Sequence, residues 1–121
     1  MYQVETDVER GILRLTFSQH VSAAEAKSCR DAVATSLASL APGFCILTDL
    51  SELVEMDFAC APDIRGIMDL CQAKGVSRIV RIIPDIRKDI GFTLMSYFHY
   101  GRNVVMVTCA SMSEAIESLG N

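Results

Sequence analysis

The sequence predicts an α/β domain, a mixed sheet of about five strands with helices packed on it, in the order ββαβαβαβα. Three observations predict it. The chain opens with two short strand-like stretches joined by a glycine-containing turn. From Ser22 onward, apolar runs of strand length alternate with segments of helical periodicity. The junctions carry helix start and stop chemistry: Ser-x-x-Glu at Ser22 and again at Ser111, Pro62, and glycines at 43, 75 and 101. Alternation of this kind builds right-handed crossovers between parallel strands.

Tyr2 to Val8 alternates weakly, Glu9-Arg10-Gly11 supplies a turn, and Ile12, Leu13, Leu15 and Phe17 make a second strand. The connection is too short for a crossover, so the pair is an antiparallel hairpin, with its first strand at a sheet edge. Ser22 and Glu25 form a capping box, each side chain satisfying the other's backbone N–H. Behind it Ala26, Cys29, Ala32, Val33, Leu37 and Leu40 fall near helical spacing until Pro42-Gly43. Phe44 to Leu47 is a continuous apolar run, as a strand covered on both faces requires.

Pro62 suits a first helical turn, where its missing N–H has no helical partner to lose. Ile64, Ile67, Met68 and Cys71 then share a face, and Gly75 stops the helix. Arg78 to Ile83 is a β-branched strand. Pro84-Asp85 ends it, with Asp85 capping a helix whose Ile86, Ile90, Leu94, Tyr97 and Phe98 keep helical spacing up to Gly101. Val104 to Val107 is the last strand, and the Ser111–Glu114 capping box starts a short helix to Leu119. There is no repeat, linker or low-complexity segment, so residues 1–121 read as one domain.

The totals exclude several functions. A net charge of −4 with no basic stripe argues against nucleic-acid binding. No apolar run approaches the roughly 20 residues of a membrane span, and MYQVETDVER has no signal-peptide pattern, so the expected location is cytoplasmic. The five cysteines lack a C-x-x-C pair, and neither His20 nor His99 lies near a cysteine in sequence. They read as small apolar side chains in a reducing compartment, with no metal cluster and no cofactor. No G-x-S-x-G turn, P-loop or G-x-G-x-x-G is present, and no enzymatic activity is expected.

The candidate site is the stretch from Phe44 to Leu70. Its loop runs between a strand ending in Asp49 and the helix begun by Pro62, at the carboxyl edge of the sheet, where ligands and partners bind in open α/β folds. Asp49 is expected to hydrogen-bond the amides of its own loop. Asp57 divides between helix-start stabilisation and recognition. An aspartate phosphoacceptor with a metal would need an acidic pair after the first strand and a late lysine, and the chain has neither. Thr108 with Ser111 could hold an anion at a helix start, although capping explains the same residues. Arg78 and Arg81 differ in parity and should point to opposite faces, which leaves only Arg87 and Lys88 as a candidate anion-facing pair, with a solvated face the favoured reading. His99 near a helix end suits the helix dipole.

The strand order, with Ile46-Leu47-Thr48-Asp49-Leu50-Ser51 and Asp57 in the following loop, resembles STAS domains, the fold shared by anti-sigma-factor antagonists and the cytoplasmic ends of sulfate transporters. Gly75 before a hydrophobic strand and the C-terminal Ser-x-x-Glu-Ala helix agree with it, and the likeness covers nearly the whole chain. Lipid-binding proteins of similar small α/β shape are a second resemblance. In the antagonists the counterpart of Asp57 is followed by the serine or threonine that a partner kinase phosphorylates. Here that position is Phe58, and Glu52 through Gly75 contains no hydroxyl-bearing side chain. The resemblance therefore implies a regulatory domain that binds a protein partner or itself without the phosphoswitch, with Asp49, Ser51, Asp57, Phe58, Asp85 and Arg87 as candidate contact residues. The alternative is a carrier for a lipid or nucleotide, with a pocket lined by Phe92 and Leu94.

Overall fold

The computed structural model describes residues 1–83 and 104–120. Strands β1 (Tyr2–Asp7) and β2 (Ile12–Phe17) form the expected antiparallel hairpin. β4 (Cys45–Asp49), β6 (Arg78–Ile82) and β7 (Val105–Cys109) add to it in parallel, giving a five-stranded sheet of order β1-β2-β4-β6-β7. β1 occupies an edge, and β4 lies in the middle with Ile46 through Asp49 all buried. The α-helices among the described residues are α1 (Ala23–Leu37), α2 (Ala61–Lys74) and α3 (Met112–Gly120).

Strand parity divides the core into two layers. Leu13, Leu15, Phe17, Ile46 and Ile79 face α1 and α2, packing with Ala26, Cys29, Val33, Ile64, Ile67 and Cys71. Leu47, Val80, Ile82 and Cys109 face the other way, against Ala115 of α3. Fully burying a Leu, Ile or Phe side chain contributes about 1.5–3 kcal/mol, so the first and larger layer dominates stability.

The Ser22 capping box and the Gly75 stop form as read, while α2 begins at Ala61, one residue before Pro62, with no side-chain cap. Ser22 Oγ accepts from Glu25 N–H at 3.2 Å, and Glu25 Oε1 accepts from Ser22 N–H at 3.3 Å. Helix α2 ends at Gly75 in the left-handed conformation (φ 97°, ψ 41°). Boundaries move by a few residues: α1 ends at Leu37 and turns through Leu40, and the last strand runs to Cys109 instead of Val107.

Two elements are additional to the expected order. β3 (Gln19–Val21) and β5 (Leu53–Met56) form a separate two-stranded parallel sheet. Strands of three and four residues, with one apolar residue in β3, are too short for periodicity to register. The helix expected from Ile86 to Gly101 lies outside the described residues.

Candidate functional site

The segment between β4 and α2 is braced at both ends. Asp49 Oδ1 accepts from Ser51 N–H at 3.0 Å and from Ser51 Oγ–H at 2.6 Å, closing an Asx-type turn. Leu50 N–H donates to Ile82 O at 2.9 Å, tying the turn to the next strand. Asp49 is buried and Ser51 half-buried, so this pair builds the loop from within.

The small β3–β5 sheet then fixes what the loop displays. Gln19 pairs with Leu53, but His20 pairs with Glu55, so Val54 is an extra residue opposite no partner. This is a β-bulge, and Gln19 beside it takes a positive φ of 57°. The bulge lets Val54 and Glu55 both face outward while Leu53 and Met56 remain buried. It also places Glu55, not Val54, opposite His20.

After β5 the chain makes a 3₁₀ turn, Phe58–Cys60, leading directly into α2. Asp57 N–H donates to Val21 O at 3.1 Å, and Cys60 N–H donates to Asp57 O at 2.9 Å. Asp57 stands where a helix-capping side chain would, yet its carboxylate makes no cap hydrogen bond. Oδ1 instead lies 2.8 Å from His20 Nε2. That hydrogen bond, with the nearby charges of Asp57, Glu55 and Glu25, holds the imidazole pKa above its ordinary 6.5 against a smaller opposing effect of burial. On either side of Phe58, Met56 and Cys60 take the inward positions. Phe58 is left 73% exposed, and Val54 is 60% exposed.

The alkylammonium at Met1 completes this end of the molecule. It lies 3.0 Å from Glu25 Oε2 and donates to the carbonyls of Ser18 at 2.9 Å and His20 at 2.6 Å. Its bond is the main reason the Glu25 carboxyl titrates below its ordinary range.

The structure thus brings Asp49 with Ser51 and Asp57 with His20, and it displays Phe58. Asp85 and Arg87 lie outside the described residues, as do Lys88, Phe92, Leu94 and His99. At the other helix start Ser111 Oγ accepts from Glu114 N–H at 3.3 Å, while Glu114 Oε2 accepts from Ala110 N–H at 3.1 Å. Thr108 Oγ1 accepts from Arg81 Nε–H at 2.9 Å, and Arg78 donates to Ser118 O at 2.7 Å on the α3 side. Capping accounts for Ser111, and the two arginines have separate partners. His20 was not singled out by sequence reading, because its partners lie more than thirty residues away and reach it through a bulge that no local pattern announces.

No protein-family profile matches the chain, and no curated protein is a significant relative. Solved structures do match. The anti-sigma factor antagonist SpoIIAA in its unphosphorylated form superposes with a TM-score of 0.69 at 18% identity, covering 100% of this chain and 99% of that one. The Bacillus cell fate determinant SpoIIAA in its phosphorylated form gives 0.62 at 20% identity, covering 98% and 99%. An anti-sigma factor antagonist from Mycobacterium paratuberculosis gives 0.58 at 15%, covering 100% and 94%. The chain has the STAS fold, in the form seen in SpoIIAA and the anti-sigma factor antagonists. Among the described residues, no helix is long and apolar enough to cross a membrane.

Proposed function

We propose that this chain is a non-enzymatic regulatory domain that binds a protein partner, or a second copy of itself, through the Asp49–Pro62 segment and the start of α2. The observation that carries the reading is Phe58. It is a large apolar side chain held in solvent at the mouth of a helix, on a segment braced by the Asp49–Ser51 turn, the β3–β5 sheet and the Asp57–His20 contact. Aromatic residues are enriched at interface cores because they bury much area at little conformational cost.

The charge around it narrows the partner. Between Asp49 and Ile64 the sequence has five carboxylates and no basic residue. Four of them (Glu52, Glu55, Asp57 and Asp63) are at least partly exposed. Asp57 is met by His20 and Asp63 lies 3.6 Å from Arg30, so Glu52 and Glu55 carry the exposed negative charge of this segment. An apolar anchor with that charge fits a partner offering an apolar pocket edged by Lys or Arg, with association that weakens as salt rises. With phenylalanine at the position matching the antagonists' phosphorylated residue, the domain is expected to hold one binding state and not to be switched there.

Phe58→Asp tests this. An exposed side chain contributes little to folding, so the variant should keep wild-type stability within about 0.5 kcal/mol. Loss of partner yield in pull-downs, or a fall in the mass measured by light scattering, is the expected result. Equal yield and equal mass for both proteins would reject the reading.

A further inference from the structure

The β3–β5 bulge gathers three ligand-bearing side chains that a simple ion pair does not require. His20 and Glu55 are register partners across the small parallel sheet, so their side chains leave on one face. Asp57 follows Glu55 by two residues, and its N–H is tied to Val21 O. One potential ligand atom from each lies within 4.8 Å of the other two. We propose that His20, Glu55 and Asp57 bind one divalent transition-metal cation of the Zn²⁺, Co²⁺ or Ni²⁺ type, leaving the remaining coordination positions open to water.

The donor set decides the class. An imidazole nitrogen selects these cations over Mg²⁺ and Ca²⁺, which take oxygen donors. Two carboxylates balance the dication when His20 is neutral. Bonds of ~2.1 Å in tetrahedral geometry place ligand atoms roughly 3.4 Å apart. His20 and Asp57 are already closer than that, at 2.8 Å, and sit on braced backbone. The His20–Asp57 contact opens slightly to that spacing, and Glu55, exposed and with rotatable side-chain bonds, adjusts to it from within 4.8 Å.

The register irregularity is what sets Glu55 opposite His20, where an unbulged ladder would put Val54. The neighbouring positive charge does not occupy the position either. The Met1 ammonium is engaged by Glu25 and by the Ser18 and His20 carbonyls. Binding displaces the Nε2 proton that faces Asp57: from the imidazolium it leaves to solvent, from the neutral ring it is replaced by a proton on Nδ1, with no change of oxidation state. None of this depends on Phe58 docking a partner.

The test is calorimetric titration of the chelator-treated full chain with Zn²⁺ at mildly alkaline pH, paired with Co²⁺ absorption. The expected result is one saturable equivalent, weakened at least about tenfold in each of His20→Ala, Glu55→Gln and Asp57→Asn. The Co²⁺ spectrum should lack a thiolate charge-transfer band, since the site contains no cysteine. Three results would each overturn the proposal: no saturable uptake, uptake unchanged in the variants, or a thiolate band showing that the cation sits on a cysteine. Because His20 and Glu55 are exposed and Asp57 is only half-buried, the near-isosteric Glu55→Gln and Asp57→Asn keep the test independent of folding.

Discussion

Phe58 lies on the braced segment and His20 braces it from β3, through the Asp57 that precedes Phe58, and each has its properties set by neighbours rather than by its own chemistry. Phe58 is outside because Met56 and Cys60 claim the inward positions of a tight turn. His20 is more basic than usual because Asp57 accepts from it and two further carboxylates lie near. A histidine whose folded pKa is raised favours the folded state fully below its unfolded pKa of about 6.5, and that contribution is lost as pH rises through the higher folded value. In chelator-treated protein the His20 ring resonances should therefore titrate with a midpoint above 6.5. Asp57→Asn should bring that midpoint down, and an unmoved midpoint would mean the 2.8 Å contact is not maintained in solution.

At the scale of elements, the helix ends are where local chemistry is most exposed to test. Removing the Ser22 hydroxyl leaves a first-turn N–H without its acceptor, and Ser22→Ala should destabilise by about 1 kcal/mol in chemical denaturation. Gly75 is harder to replace. Its left-handed backbone disfavours any side chain, and an added Cβ would come within 3.2 Å of Pro42 Cβ. The same turn places Val76 N–H on Cys71 O at 3.1 Å and Gly43 N–H on Gly75 O at 2.7 Å. Gly75→Ala should destabilise by roughly 1–2 kcal/mol, more than the loss of the Ser22 cap. The reverse order in denaturation midpoints would contradict this account of how α2 ends.

Across the whole molecule, the two-layer core controls which cysteines can react. All five are free. Burial pushes the Cys29 and Cys71 thiols up to about 12, and the Cys60 and Cys109 thiols are raised as well. Since the thiolate is the nucleophile, these four should be slow toward a thiol reagent in the native protein. Cys45, half-exposed at the start of β4, should react first. Mass spectrometry of briefly alkylated protein checks the order, and early labelling of Cys29 or Cys71 would show that the α1–α2 layer opens readily.

The sequence by itself determined the main sheet, the caps and the α2 stop, because these follow from periodicity, capping boxes and glycine, all of which act within a few residues. It also tied Asp49 to the amides of its own loop, since an Asx turn spans only two residues, while the structure supplied Ser51 as the partner. It could not show β3, β5 or the His20–Glu55–Asp57 gathering. Those depend on pairing across more than thirty residues and on one bulged register, which short segments do not encode locally. Whether Phe58 was core or surface was equally beyond periodicity, because a 3₁₀ turn breaks the pattern that would assign its face. Tertiary structure decided that point, by giving the interior to Met56 and Cys60 and leaving the phenyl ring outside.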